Sequence, residues 1–388
     1  MFDRSQRKIP FNKPFLTGKE TEYICHAVES GKISGNGDFT KRCHAFFQNR
    51  YHFHKCLLTS SGTDALEMAA ILLDIHPGDE IIVPSYTFVS TANAFVLRGA
   101  HIVFADSQSG NPNVDAGCIE PLISARTKAI VVVHYGGVAC DLDAIMTLAR
   151  KHGVYVVEDA AHAIDSFYRD KPLGGIGQLA AFSFHETKNV ISGEGGMLVI
   201  NDPSLVQRAE IIWEKGTNRV SYFRGETSKY EWVDVGSSFL PSEVTAAFLF
   251  AQLENLDLIQ AKRLSSWNLY YQCLKRGEAN GFFRLPDIPA HATNNGHLFY
   301  IVLPSHRIRE ALLQFLRSNG VHAVFHYLSL HRSPFYKEKH TGSLLTNADK
   351  FSDCLLRLPL YVELSDTDIR YISDLTIEFF EKTDEENA

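Results

Sequence analysis

Three places in the sequence carry side chains that could bind or react with a small ligand, and each lies at the end of an apolar segment. Lys188 lies just past the run AAFSF, Asp159 ends the run VYVVED, and the hydroxyl-rich turn at residues 59–63 follows KCLL. A buried lysine is nucleophilic, a buried aspartate can pair with a cation, and such a turn at a helix N-terminus can bind phosphate. Each also has an ordinary interpretation, because a lysine can be solvated and Asp, Ser and Thr commonly cap helices.

The apolar segments before these residues predict the strands of a mainly parallel sheet. Seven short runs are rich in Val and Ile and are bounded by Gly, Pro or Asp: KCLL, EIIVP, HIVFAD, KAIVVVHY, VYVVED, AAFSF and MLVIN. Helical patterns between several of them are typical of a parallel sheet that is covered on both faces. An open parallel sheet binds its ligand beyond the carboxyl ends of its strands, so we expect Lys188, Asp159 and the turn to meet there.

The sequence predicts two domains. A large domain that contains the sheet is expected over residues 1–255. A long helical pattern begins at Ser242 and leads into a smaller α+β domain over residues 256–388. The strand HLFYIVL, the helix REALLQFLRSNG and the C-terminal helix ISDLTIEFFEK favour this assignment.

Composition and charge exclude several classes of protein. The chain of 388 residues has a net charge of −7, so no basic field would attract nucleic acid. No apolar run approaches the ~20 residues needed to cross a bilayer, and the first residues lack the apolar stretch of a signal peptide. Seven cysteines form neither a disulfide framework nor a zinc pattern. We therefore expect a cytoplasmic protein that binds neither nucleic acid nor a membrane.

The histidines do not predict a metal site. His185 begins a pattern like that of a zinc protease, but Asn189 stands where the second histidine would be. The spacing of His322, His326 and His331 fixes no ligand geometry. No G-x-S-x-G motif is present, so a hydrolase nucleophile elbow is also not predicted.

The order of the candidate residues along the chain is more specific than any one of them. The hydroxyl turn is followed by the aromatic segment PSYTF, then by Asp159, Ser183 and Lys188. Pyridoxal phosphate (PLP) needs a phosphate site, a residue that stacks on its ring, an acid at its pyridine nitrogen and an amine for its aldehyde. The segments SSGTDAL, PSYTFVSTANA, VVEDAAHA, FSFHETKN and GEGGMLVI resemble the successive motifs of the DegT/DnrJ/EryC1/StrS sugar aminotransferases. The resemblance runs from about residue 9 to the end of the chain.

This resemblance implies PLP as cofactor and the α/β fold of PLP fold type I, which is that of aspartate aminotransferase. Lys188 would attach the cofactor covalently, Asp159 would pair with its pyridinium, and Phe88 would stack on its ring. Lys188 and Asp159 are thus the expected catalytic residues. A catalytically inactive PLP-binding regulator is an alternative, and the presence of Lys188, Asp159 and Ser183 argues against it.

The same resemblance implies the remaining cofactor contacts. Gly62, Thr63 and Ser183 would hold the phosphate, and His162 would lie near the ring hydroxyl. Many relatives place an Asn from the neighbouring subunit at the phosphate, at a position occupied here by Ser238. A homodimer whose active sites are shared across the interface is implied, although the shorter serine departs from the family pattern.

Within the family, other segments point to a branch with a particular substrate. VHYGGVAC, FHETKN, EKGTNR and GSSFLPSE most resemble the branch that makes dTDP-4-amino-4,6-dideoxygalactose for enterobacterial common antigen. The implied reaction moves an amino group from glutamate to C4 of a dTDP-4-keto-6-deoxy-hexose and releases 2-oxoglutarate. Amination of a 3-keto-6-deoxy sugar nucleotide is the alternative. Arg219, Tyr327 and His331 are candidate contacts to the sugar nucleotide.

Overall fold

The computed structural model describes residues 8–387, with side chains described as far as residue 382. Its strands are β1 (Lys55–Thr59), β2 (Glu80–Pro84), β3 (His101–Ala105), β4 (Thr127–Val133), β5 (Tyr155–Asp159), β6 (Phe167–Tyr168), β7 (Lys171–Pro172), β8 (Leu179–Ser183), β9 (Gly196–Ile200), β10 (Phe299–Val302), β11 (Val324–Phe325) and β12 (Leu355–Leu358). Its α-helices are α1 (Glu20–Glu29), α2 (Asp38–Tyr51), α3 (Gly62–Leu72), α4 (Val89–Val96), α5 (Leu142–His152), α6 (Val206–Trp213), α7 (Arg219–Phe223), α8 (Glu243–Leu253), α9 (Leu256–Ala279), α10 (His306–Ser318), α11 (Thr346–Cys354) and α12 (Asp366–Asn387). Over the described residues, none of these helices is long and apolar enough to cross a membrane.

A seven-stranded sheet with the order β1-β9-β8-β5-β4-β2-β3 forms the larger part of the fold. Strand β9 runs antiparallel to both of its neighbours, and the other neighbouring strands pair in parallel. All residues of β2 and β9 are buried, because separate apolar clusters cover the two faces of the sheet. The seven strands coincide with the seven apolar runs, so the predicted fold class is confirmed.

The register of the sheet brings two predicted phosphate-binding segments together. Gly196, the first residue of β9, pairs with Thr59 on one side and with Ser183 on the other. The turn after β1 therefore lies beside the end of β8. A Cβ atom on Gly62 would lie 2.9 Å from that of Ser183, so glycine permits this close approach.

A second, smaller sheet follows in the C-terminal part of the chain. Its order is β10-β12-β11, and both strand pairs are antiparallel. An apolar cluster beside it contains Trp267 of α9, Leu312 of α10 and Ile372 of α12. The sequence predicts β10, α10 and the C-terminal helix here, but it does not predict β11 or β12.

The single long helix predicted from Ser242 is wrong, because the chain forms two helices, α8 and α9. Two polar residues separate them. The Glu254 carboxylate accepts a hydrogen bond of 2.7 Å from the Tyr23 hydroxyl, and the Asn255 side-chain amide donates to the carbonyl of Ala251 at 3.0 Å. The backbone of Asn255 leaves helical geometry, with φ −111° and ψ 14°. The apolar periodicity continues through this break, which explains why sequence reasoning missed it.

Candidate active site

One cavity of about 600 Å³ lies at the carboxyl ends of β5 and β8 and is closed on its other side by the second sheet. Eight of the predicted site residues line it: Gly62, Thr63, Phe88, Asp159, His162, Ser183, Lys188 and Tyr327. Residues far apart in the sequence thus meet at one edge of the sheet, as the strand-end argument predicts.

The surroundings of Lys188 make its amine more reactive. The residue lies in a tight turn after β8, where its backbone N–H donates to the carbonyl of His185 at 2.9 Å. Burial lowers the pKa of Lys188 to about 8, while the negative charge of Asp159 opposes this shift. A pKa near 8 raises the neutral fraction of the amine at pH 7 from about 0.03% to about 10%. Lys188 can therefore act as a nucleophile or as a base near neutral pH.

Asp159 is a buried carboxylate, 6% exposed, at the floor of the cavity. Its Oδ2 accepts a hydrogen bond from the Thr91 hydroxyl at 2.7 Å, and its Oδ1 accepts one from the backbone N–H of Ala161 at 3.2 Å. Burial raises the pKa of Asp159, and these two hydrogen bonds oppose the increase. Among the described side chains Asp159 has no ion-pair partner within 4.0 Å, so it is suited to pair with a cationic group in the cavity.

Glu158, which precedes Asp159 in β5, has a structural role. Successive side chains of a strand point to opposite faces, so Glu158 lies away from the cavity. Its carboxylate accepts hydrogen bonds from the backbone N–H groups of Gly174, Ile176 and Gly177 at 2.8, 2.8 and 2.6 Å, and lies 3.0 Å from His134 Nε2. The alternation of the strand thus decides which of the two adjacent acids faces a ligand.

The N-terminus of α3 forms an anion-binding end of the cavity. The Ser61 hydroxyl caps this helix by accepting from the Asp64 N–H at 3.0 Å, and the first N–H groups of the helix have no acceptor within it. The Thr63 hydroxyl is 2.8 Å from that of Ser90, and Ser183 lines the same cavity close to Gly62, the first residue of α3. Hydroxyl groups at the positive end of a helix dipole match the phosphate of PLP.

Aromatic residues form the opposite wall. His162 stacks on His297 with ring centroids 4.2 Å apart, and the Tyr327 hydroxyl lies 3.4 Å from His162 Nε2. Burial holds the pKa of His162 well below its usual range, so the ring is neutral. The N–H of Gly136 donates to Nδ1 at 3.3 Å, which leaves the ring proton on Nε2. Phe88 is 53% exposed at the cavity mouth, where a planar ring can stack on it.

Five residues of the site are absent from the sequence-based set. Thr91 fixes Asp159, and His297, His326 and Arg357 line the cavity. Asn189 anchors the turn that carries Lys188, because its side chain bonds both to His297 Nδ1 at 2.8 Å and to a backbone carbonyl at 3.0 Å. Arg357 had one visible signal, since it is a lone charge in the apolar run LLRLPL.

Three predicted residues lie outside this cavity. Ser238 and Arg219 are exposed and line a second cavity of about 710 Å³. His331 lines neither cavity: it is buried, with Nδ1 2.7 Å from the Ser85 hydroxyl and Nε2 3.7 Å from Asp349 Oδ1. Through these contacts His331 joins the residue that follows β2 to α11. In the described part of the chain, no group of three His, Cys, Asp or Glu residues is arranged to hold a metal ion.

The cavity fits PLP at each part of the cofactor. The α3 N-terminus fits the phosphate, the uncompensated Asp159 fits a protonated pyridine nitrogen, and the Lys188 amine fits the aldehyde. This site, on a mainly parallel sheet next to a smaller α+β unit, defines the class: a PLP enzyme of fold type I. The sequence matches the DegT/DnrJ/EryC1/StrS aminotransferase family over residues 14–376, and the chain belongs to that family.

Solved structures support the same assignment. The aminotransferase TlmJ from Streptoalloteichus hindustanus is 30% identical with a TM-score of 0.89, over 97% of this chain and 100% of that one. DesV from S. venezuelae, solved in complex with a ketimine intermediate, is 30% identical with a TM-score of 0.86, over 96% and 99%. Spr1654 from Streptococcus pneumoniae, solved in its PMP form, is 25% identical with a TM-score of 0.89, over 97% and 100%. The protein is a PLP-dependent sugar aminotransferase.

Proposed function

We propose that this enzyme transfers the amino group of glutamate to C4 of a dTDP-4-keto-6-deoxy-hexose. The products would be dTDP-4-amino-4,6-dideoxygalactose and 2-oxoglutarate. Transamination is supported by one observation: Lys188 and Asp159 line the same cavity, beside the anion-binding N-terminus of α3. The choice of C4 and of the dTDP sugar rests on the resemblance of segments such as FHETKN and GSSFLPSE to the branch that makes this amino sugar for enterobacterial common antigen.

Asp159 holds a proton at the pyridine nitrogen. When bound, PLP supplies an electrophilic aldehyde and a ring that takes up negative charge developing at the substrate carbon. The negative charge of Asp159 would favour protonation of that ring nitrogen, and the hydrogen bonds from Thr91 and Ala161 favour the ionised carboxylate against the effect of burial. The ring can therefore accept charge throughout the reaction.

Lys188 moves the proton. Its amine would hold the cofactor through the aldehyde and, when free, would carry a proton to or from the reacting carbon of the amino donor. Only the neutral amine can do this, and burial provides a substantial neutral fraction near pH 7. His162, whose proton lies on Nε2, would donate to the ring hydroxyl of the cofactor, and Thr63 and Ser183 would hold its phosphate and so orient it.

The active unit would be a homodimer in which Ser238 and Arg219 reach the cavity of the partner subunit. Both line the second cavity together with Lys32 and Lys41, whose cationic side chains suit the phosphates of a sugar nucleotide. Two acids of the same cavity, Glu210 and Glu214, lie against other cations: Lys55, Arg224 and Lys215. The surrounding segment exposes large apolar side chains that a second copy could cover: Tyr222, Phe223, Tyr230, Trp232, Val233 and Val235.

The test is product analysis. The purified chain, loaded with PLP, is incubated with glutamate and dTDP-4-keto-6-deoxyglucose, and the sugar product is examined by NMR. We expect an amine at C4 with the galacto configuration and one equivalent of 2-oxoglutarate. Lys188→Ala serves as the inactive control. Preferential amination of the 3-keto isomer, offered in the same mixture, would contradict the proposed regiochemistry.

A further inference from the structure

His297 is a buried polar residue of the active-site cavity to which the proposed reaction assigns no role. It precedes β10, is 6% exposed and lines the cavity. Its Nδ1 lies 2.8 Å from the side-chain oxygen of Asn189, the residue that follows Lys188. The Asn189 amide nitrogen donates to Gln260 Oε1 at 2.8 Å and to the carbonyl of Asn295 at 3.0 Å. The Asn189 oxygen is therefore the acceptor in its contact with His297, whose Nδ1 carries the proton.

The backbone around His297 is held by a buried hydrogen-bond network. Arg263 of α9 donates from Nε to the carbonyl of Gly296 at 3.0 Å and from Nη2 to the carbonyl of His297 at 2.6 Å. The N–H of His297 donates to Asn295 Oδ1 at 3.0 Å. The side chains of Arg263 and Asn295 are both buried, and a buried network whose members are hydrogen-bonded is rigid. His297 is thus a fixed point to which the turn that carries Lys188 is tied.

The same segment is also tied to His162, the residue expected at the ring hydroxyl of the cofactor. The imidazole of His297 stacks on that of His162, with ring centroids 4.2 Å apart and an angle of 24° between the planes. The Asn295 amide donates to the carbonyl of His162 at 2.7 Å. Burial above all holds the pKa of His297 well below its usual range, so its ring is neutral. Residues 295–297 therefore fix both the neighbour of Lys188 and His162 itself.

We propose that His297 is a positioning residue, which through Asn189 holds Lys188 in place relative to His162 for attachment to the cofactor. The aldehyde and the hydroxyl of PLP stand on adjacent carbon atoms of its ring. The amine that attaches to the aldehyde must therefore be placed accurately with respect to the residue at the hydroxyl, since a misplacement of about 1 Å can slow a reaction by about a hundredfold. The inference concerns attachment of the cofactor and does not depend on which sugar is aminated.

The test compares the binding of PLP with that of pyridoxamine phosphate, which has the same phosphate, ring and hydroxyl but no aldehyde to react with Lys188. His297→Phe keeps a ring that can stack on His162 and removes the proton donated to Asn189. We expect this variant to weaken equilibrium binding of PLP to the full-length chain by about tenfold or more, because Lys188 is misplaced. Binding of pyridoxamine phosphate should weaken by less than about threefold, because its contacts are retained. Asn189→Ala removes the same bond from the other side and should show the same difference between the two ligands.

A double variant and a matched control test whether this bond is responsible. The variant with both substitutions should bind PLP about as weakly as the weaker of the two single variants, because both act through one shared bond. Asn201→Ala is the control. Asn201 also donates two hydrogen bonds to backbone carbonyls, those of Gly174 and Gly177 at 2.9 and 2.8 Å, but it does not line the cavity. Its loss should leave the binding of both ligands unchanged.

Two results would overturn the proposal. Equal weakening of PLP and pyridoxamine phosphate would show that His297 only supports the fold. An unchanged PLP affinity in both single variants would show that Lys188 is held without it. If one of the single variants fails to fold, as judged by circular dichroism, the other decides by the same comparison. Failure of the assignment of Lys188 itself would look different, because Lys188→Ala would then bind PLP as tightly as the wild type.

Discussion

The hydrogen bond from Thr91 to Asp159 should control how well the enzyme stabilises charge on the cofactor ring. Thr91 is fully buried, and its hydroxyl lies 2.7 Å from Asp159 Oδ2 and 2.8 Å from the hydroxyl of Thr87. An ionised carboxylate only accepts hydrogen bonds, so Thr91 donates to Asp159 and accepts from Thr87. Thr91→Val keeps the shape of the side chain but removes this donor. Asp159 then becomes more basic and competes with the ring nitrogen for the proton.

The size of the effect follows from the chemistry of the contact. A hydrogen bond to a charged group contributes about 1.5–3 kcal/mol. If the whole contribution is lost from the rate-limiting proton transfer, the half-reaction slows by about 10- to 150-fold, because each 1.4 kcal/mol is a factor of ten. Thr91→Ser keeps the hydroxyl and loses only a methyl group, so it should stay within about threefold of the wild type.

The assay is stopped-flow absorbance of the PLP form mixed with saturating glutamate, at a fixed pH and with matched cofactor loading. We expect the rate of the half-reaction to fall in the order wild type, Thr91→Ser, Thr91→Val. The rate of Thr91→Val should be much lower than the other two. A Thr91→Val rate within twofold of the wild type would show that this hydrogen bond does not control the half-reaction. So would a Thr91→Ser rate as low as that of Thr91→Val, since packing and not the hydrogen bond would then be responsible.

Three further outcomes are expected. Asp159→Asn should slow each half-reaction by about a hundredfold or more, because a buried charge that supports the transition state is removed; near-normal single-turnover rates would show that another group protonates the ring. The rate at which the cofactor-free protein binds PLP covalently should rise with pH through the Lys188 pKa of about 8 and level off above it, because only the neutral amine attacks the aldehyde. A rise that continues past about pH 10 would indicate a lysine whose pKa is not shifted. Ser238→Ala should weaken PLP binding slightly, whereas Ser238→Trp should weaken both PLP binding and the dimer in sedimentation; a fully active monomer would contradict the shared site.

The parts of the fold that could be predicted from the sequence are those fixed by local pattern. The seven strands of the large sheet are short apolar runs with clear boundaries, and a parallel sheet brings their carboxyl ends to one edge. This rule alone placed Asp159 and Lys188 in one cavity. Their chemical roles came from the resemblance of the motifs to a known family.

The parts that were missed depend on contacts between distant segments. Nothing local in LLRLPL shows that Arg357 belongs to a strand facing Lys188, because that strand is completed by β10 and β11. The fixing of Asp159 by Thr91 joins residues 68 positions apart. The residue type of His331 predicts a contact to the sugar nucleotide, but the sequence does not show its hydrogen bond to Ser85, 246 positions away. Hydrogen bonds between residues far apart in the chain determine where these side chains lie. Such bonds leave no periodic pattern in the sequence.

The attachment of the cofactor to Lys188 can be measured directly. The PLP-loaded enzyme is reduced with borohydride, which makes the attachment permanent, and is then digested and examined by peptide mass spectrometry. We expect a phosphopyridoxyl group on Lys188 at close to one per chain, and we expect it to be lost when the enzyme is treated with glutamate before reduction. A label on a different lysine, or a labelled Lys188 that glutamate does not protect, would contradict it.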